Sequence, residues 1–238
     1  MNSNAAQRLI ELNREFYTRF GAEFSATRQR LQPGARRVLE SLRGDEQILD
    51  LGCGNGEVAR VLNGRGHRGA YFGLDFSPPL LSAAASEFAF PAQFLPADLT
   101  APNWAESFSA STFDVIFCFA ALHHIPSQGL RVQLLSAAKH LLQENGKLIL
   151  SNWQFLNSEK LRARIQPWGA ANLAPSDVDA GDYLLDWRSG GRGLRYAHHF
   201  SSDELSALAS EVGMRVKSEF LSDGAEGNLG LYQIWGIG

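Results

Sequence analysis

Ile48-Leu49-Asp50-Leu51-Gly52-Cys53-Gly54-Asn55-Gly56-Glu57-Val58 is the stretch whose reading decides the fold. An apolar run ends in an acid, glycines then alternate with small residues, and a helical pattern begins. That pattern predicts a buried parallel strand, a turn too tight for side chains, and a helix start. Glycine has no Cβ, so the backbone of such a turn can approach a ligand closely. The free N–H groups of the helix start then face whatever is bound.

The spacing narrows the ligand. A dinucleotide-binding turn reads G-x-G-x-x-G, but the position for its third glycine is Glu57 here, and a carboxylate there repels a pyrophosphate. Asp50-x-Gly52-x-Gly54-x-Gly56 instead resembles motif I of the class I S-adenosylmethionine (SAM) methyltransferases. A second acid, Asp75, closes the next strand, Tyr71-Phe72-Gly73-Leu74-Asp75, where a carboxylate can grip both hydroxyls of a ribose. Cys53, Asn55, Phe76, Leu99 and Phe119 are expected around the same cofactor. Asp98 suits either the adenine amine or a plain turn, and the sequence leaves both readings open.

The wider pattern fits an α/β domain. Strands are expected at 48–51, 70–75, 92–95, 113–119 and 147–153, alternating with helices at 57–63, 77–88 and 127–142. Ser77 before Pro78 is the expected N-cap of the second of these, and Gln143-Glu144-Asn145-Gly146 the C-cap of the third. A helix capped by Ser201 or Ser202 and a terminal hairpin, 214–221 with 229–236, complete the pattern. The expected fold is therefore a seven-stranded, mostly parallel sheet with helices on both faces and a C-terminal antiparallel hairpin. A single domain over 1–238 is expected, with a helical cap over 1–44 and a substrate-side insertion over 155–200. Phe16, Tyr17 and Phe24 of the cap read as packing residues.

Composition bounds the partners. A chain of 238 residues with net charge −3 and only four lysines gives no global pull toward nucleic acid or membrane. Cys53 and Cys118 form no metal spacing, so no metal is expected. The longest apolar run, Val115 to Leu122, is too short to span a bilayer. The polar N-terminus does not read as a signal peptide, and a cytoplasmic location is expected.

His123-His124 follows the fully apolar fourth strand, where chemistry collects in open α/β sheets. One histidine is expected to be functional and the other structural. Tyr17, Phe24-Ser25-x-Thr27-Arg28, His123-His124, Trp153, Gly181-Asp182-x-x-x-x-Trp187 and Arg195-Tyr196-x-His198 together resemble the tRNA wobble-uridine carboxyl methyltransferases, which esterify 5-carboxymethyluridine. The resemblance implies that Arg28, one histidine of the pair and Arg195 serve the substrate site. It also implies a tRNA substrate and, for eukaryotic members, a small zinc-binding activator protein. The chain departs from the family in having Gln32-Pro33 for Trp-Pro and in lacking a strongly basic surface. A carboxylate acceptor needs no general base, whereas a hydroxyl acceptor would call on His123. Open readings are thus a methyltransferase of a tRNA nucleoside carboxyl or related RNA group, one acting on a small metabolite, and a non-catalytic partner subunit of the same fold.

Overall fold

The computed structural model describes residues 1–26, 30–85, 87–110 and 112–238, with Phe24 described by its backbone alone. Arg28 and the packing expectation for Phe24 lie outside the described residues.

Two helices precede the sheet, α1 (Ser3–Ala26) and α2 (Pro33–Glu40). Then β1 (Ile48–Leu51), α3 (Glu57–Gly64), β2 (Tyr71–Asp75), α4 (Pro78–Ala84), β3 (Ala92–Pro96) and β4 (Phe113–Phe119) alternate as expected. They are followed by α5 (Gln128–Leu141), β5 (Leu142–Trp153), α6 (Glu159–Arg162), β6 (Ile165–Gln166), β7 (Asp182–Trp187), β8 (Gly193–His198), α7 (Ser202–Glu211), β9 (Met214–Ser222) and β10 (Gly230–Ile237). The main sheet has the order β3-β2-β1-β4-β5-β10-β9. Its first five strands are parallel, and β10 pairs antiparallel with both β5 and β9. The expected seven-stranded architecture is met.

β1 and β4 are buried along most of their length and, apart from Asp50 and Asp114, apolar, because helices cover both sides. One apolar layer joins Leu49, Leu51, Ile116, Cys118 and Leu150 to α5 and α7. The opposite layer joins Ile48, Phe117 and Ile149 to Val38 and Leu39 of α2 and to Val58 and Leu62 of α3. The strands therefore cannot slip by one residue without exchanging these layers.

Two expectations need correction. Gln143-Glu144-Asn145-Gly146 is no separate helix cap: β5 already begins at Leu142, and these residues bulge where its register with β4 jumps from Phe113–Leu142 to Val115–Lys147. A Cβ on Gly146 would lie 2.9 Å from the Gln143 carbonyl oxygen, which shows how tight the bulge is. Helix α4 stops at Ala84 rather than near Phe88, since Phe88 and Phe90 turn inward onto Tyr71 and Phe94. Its N-cap is Ser77, yet no backbone N–H bonds to the serine hydroxyl. Instead Asp75 Oδ1 accepts the Ser77 N–H at 2.9 Å. At the other predicted cap, Ser201 Oγ does accept the Glu204 N–H at 3.1 Å.

Residues 155–200 hold short helices and a small antiparallel sheet, β6-β7-β8. Leu9 and Leu12 of α1 pack on Leu184 and Tyr196 of that sheet, while Phe16, Tyr17 and Phe20 reach Trp187 and Leu80. Thus α1 bridges the small sheet and α4.

Candidate active site

A cavity of about 520 Å³ opens where β1, β2, β4 and β5 end, roofed by α1 and by β8. That volume lies in the range of small-molecule sites.

The glycine turn forms its floor. The N–H groups of Gly52 and Cys53 both bond to the Leu74 carbonyl, at 2.8 and 2.9 Å, which hooks the turn onto β2. Gly54 adopts φ +55°, and a Cβ built there meets nothing within 4 Å. The bare backbone of Gly54 therefore fronts open cavity, a cradle that any side chain would fill. Gly52 and Gly56 serve packing instead, since added Cβ atoms would lie 2.6 Å from Ala121 and 3.0 Å from Ala84. Gly56 is the one predicted cofactor residue that does not line the cavity; it lets α3 start against α4.

Asp75 is 7% exposed and bonds through Oδ2 to the Gly54 N–H at 3.0 Å. Burial pushes its pKa up, opposed by bonds from the Ser77 and Gly54 N–H groups. Asp50 lies deeper: burial raises its pKa to about 7, although the Tyr71 hydroxyl donates to it at 2.6 Å. Asp98 is a turn residue that also lines the cavity. Its Oδ1 accepts the Thr100 N–H at 3.0 Å, while Oδ2 pairs with Arg14. Cys53, Asn55, Phe76, Leu99 and Phe119 also line the cavity. Burial keeps both thiols protonated, Cys118 being pushed up to about 12 and Cys53 further.

The other end of the cavity is basic and aromatic. Arg195, on β8, is 4% exposed, with its guanidinium carbon 4.6 Å from the Trp153 ring centre and within 6 Å of Phe16 and Trp187. His123 is 2% exposed, and its Nδ1 accepts the Trp153 N–H at 3.4 Å, which puts the proton of a neutral ring on Nε2. His124 Nδ1 donates to the Tyr196 carbonyl at 2.9 Å, and its Nε2 faces the Tyr17 hydroxyl at 3.0 Å. His124 thereby ties α1 to β8, while His123 is held by the backbone of β5. Both line the cavity with Arg195.

Two residues carry more than the sequence suggested. Tyr17, expected only to pack, lines the cavity and holds His124. Asn13 accepts the Tyr196 N–H at 2.8 Å and donates to the Tyr196 and His124 carbonyls at 3.2 and 3.3 Å. Its signal was a polar residue one turn beyond Leu9, within the apolar stripe that Leu12 and Phe16 continue.

The arrangement sets acids beside a bare glycine backbone at one end and a buried guanidinium with a histidine at the other. A nucleoside bearing ribose hydroxyls fits the first end, since Asp75 retains lone pairs beside an open cradle. The second end fits an anion.

Comparisons with known proteins agree at the level of family and fold. A family model described as a methyltransferase domain matches residues 23–219. The tRNA (carboxymethyluridine(34)-5-O)-methyltransferase of Arabidopsis thaliana is 27% identical over 58% of this chain and 31% of its own length. The trans-aconitate 2-methyltransferase of Escherichia coli is 33% identical over 61% of this chain and 53% of its own length. The matches thus span from under a third to about half of these relatives. A SAM-dependent methyltransferase from Methanosarcina mazei superposes with a TM-score of 0.66 at 22% identity, covering 87% of this chain and 98% of that one. A putative Haloferax volcanii methyltransferase, solved with the Trm112 methyltransferase activator, superposes with a TM-score of 0.67 at 15% identity, covering 94% and 96%. Family and fold meet the expectation drawn from the glycine turn and its paired acid: the chain belongs to the methyltransferase domain family and has the fold of the SAM-dependent methyltransferases.

Proposed function

We propose that the chain is a SAM-dependent methyltransferase that esterifies a carboxylate, carried by a modified tRNA nucleoside or related RNA group. The single observation behind this reading is the buried Arg195 guanidinium lining the same cavity as the Gly54 cradle and Asp75. Asp75 would hold the ribose hydroxyls, the Gly54 backbone would lie against the donor, and Asp98 and Leu99 would flank its base. Bound SAM would supply an electrophilic methyl group.

The chain's own residues then have to position the acceptor. A carboxylate with a pKa of about 4 is already a nucleophile at neutral pH. Arg195 would keep it ionised and aim it through two parallel N–H···O bonds. The Nε2–H of His123 would donate to the acceptor rather than take a proton. By the family resemblance alone, Arg28 would join Arg195 as the second cation of this clamp. The relatives support the carboxylate, since both names describe acceptors that carry one.

A small carboxylate metabolite is the second reading, favoured by the net charge of −3 and by the E. coli relative. A small activator protein belongs to the proposal as well, because the Haloferax neighbour was solved with one. Titration of bulk tRNA across a salt series separates the two acceptors. RNA binding weakens steeply with salt when phosphates are engaged, and binding that ignores salt would favour the metabolite. For the clamp itself, Arg195→Lys keeps the charge but loses the planar grip. It should lower turnover at least ~10-fold, the effect of about 1.4 kcal/mol, and leave cofactor affinity unchanged. A pH–rate profile with a basic limb near pH ~6.5 that disappears in His123→Ala would replace the clamp with a histidine-assisted hydroxyl transfer.

A further inference from the structure

Successive residues of a strand face opposite ways. On β8, Arg195 lines the cavity while Tyr196 and His198 turn into a buried polar cluster. Four charged side chains from four elements meet there: Arg131 of α5, Asp182 of β7, His198 of β8 and Glu204 of α7. Arg131, Asp182 and His198 are 2%, 6% and 1% exposed. His198 bridges the two acids, with Nδ1 2.7 Å from Asp182 Oδ1 and Nε2 2.7 Å from Glu204 Oε1. The Tyr196 hydroxyl donates to Asp182 Oδ1 at 2.7 Å and accepts from Arg131 at 2.8 Å. Arg131 also donates to the Ile125 carbonyl at 2.9 Å, just beyond the histidine pair.

Charges balance when His198 is protonated, two cations against two carboxylates. An ionised carboxylate can only accept, so a ring bonded to both acids through both nitrogens donates twice. We propose that this quartet is the positioning device for Arg195, with His198 as the positioning residue. Buried ion clusters add little net stability over apolar packing, and their best-attested use is to fix register. Register is what this strand needs: a slip of one residue would swing Arg195 out of the cavity and Tyr196 into it. The cluster grips the residue next to Arg195 by its side chain, while Asn13 and His124 grip the same residue by its backbone. Gly181 makes room for the device, since a Cβ there would lie 2.8 Å from the His198 ring.

Its pH dependence follows from the facing groups: Arg131, Asp182, Glu204, the neighbouring ring of His199, and the Met1 ammonium paired with Asp179 in the same pocket. Burial alone lowers the His198 pKa, but the bonds to Asp182 and Glu204 outweigh it and hold the pKa above the ordinary imidazole value. The quartet is therefore complete below pH ~6.5 and loses its hold as pH rises through the raised value.

The test reads Arg195 directly and needs no acceptor. Its Cδ–H nuclear magnetic resonance signals should be displaced by the Trp153 ring current, and Arg195→Lys identifies them. At pH 6, His198→Gln should move these signals to the position of an unstructured arginine, because one amide cannot donate to both acids in this geometry. Glu204→Gln still accepts from His198 and should leave them in place. In the unaltered protein the same signals should shift together with the His198 ring signals as pH is raised, which keeps the test alive if His198→Gln fails to fold. A fall in melting temperature with the Arg195 signals unmoved would overturn the proposal, as would a His198 titration that Arg195 does not follow. Only the functional consequence rests on the acceptor reading: if Arg195→Lys kept full turnover, that reading would fail while the coupling of His198 to Arg195 stood.

Discussion

Asp75 is held in place before any ligand arrives, for the backbone N–H groups of Gly54 and Ser77 bond to its two oxygens. Asp75→Ala should therefore weaken S-adenosylhomocysteine binding by about 1.5–3 kcal/mol, the range for hydrogen bonds to a charged group. Calorimetry on a variant with a native melting curve checks this, and an unchanged affinity would dismiss the ribose assignment. Asp50 makes a prediction in pH. Its folded pKa, near 7, lies above the ordinary carboxylate value. The folded state then binds the proton more tightly, so the stability Asp50 contributes is fully present below pH ~4 and lost as pH rises through ~7. Asp50→Asn, which still accepts from Tyr71, should raise the urea midpoint at pH 8 and leave it nearly unchanged at pH 3. Asp50, Gly54 and Asp75 were legible because their signal is local, glycines and acids at fixed offsets from apolar runs. Arg131 was not, because its partners Asp182 and Tyr196 lie far along the chain. The clue was present nonetheless: Arg131 occupies the stripe of Leu134, Leu135 and Ala138, where an apolar residue belongs.

Elements were legible where turn chemistry agreed with periodicity. The terminal hairpin expected over 214–221 and 229–236 stands as β9 and β10. At Gln143–Gly146 the same chemistry misled, because a bulge and a helix cap both use glycine in a tight turn and only the neighbouring strand distinguishes them. The start of α2 shows a constraint of the same kind. Pro33 suits the first turn of that helix, yet Gly34 is needed because a Cβ there would sit 2.3 Å from the Tyr232 ring. Asp223, in the β9–β10 turn, accepts the Gly34 N–H at 2.9 Å and the Tyr232 hydroxyl at 2.7 Å, tying α2 to β10. Gly34→Ala should thus destabilise the fold by about 1–3 kcal/mol despite its better helix propensity, the usual cost of overpacking. Chemical denaturation measures it, and a stabilised variant would show that α2 is free to shift.

At the scale of the molecule, chemistry is divided between two bodies of structure that the chain visits at different times. The main sheet supplies the glycine turn and the acids; α1 and the β6-β7-β8 sheet supply Tyr17 and Arg195, joined through Asn13 and His124. A mostly parallel sheet closed by an antiparallel hairpin could be read from alternating strands and helices. How the N-terminal helix and the insertion meet over the cavity could not, because nothing local encodes a contact between α1 and β8. Among the described residues no helix is long and apolar enough to cross a membrane. Ligand in the cavity should slow hydrogen exchange in α1 and β8 together with the glycine turn, and protection confined to the turn would separate the roof from the site. On the proposed function, the open space at Gly54 is the seat of the methyl donor. Calorimetric titration of S-adenosylhomocysteine into the parent protein and Gly54→Val tests it most directly. Saturable binding by the parent, with none by a folded Gly54→Val, is the result expected; equal isotherms for the two would contradict it.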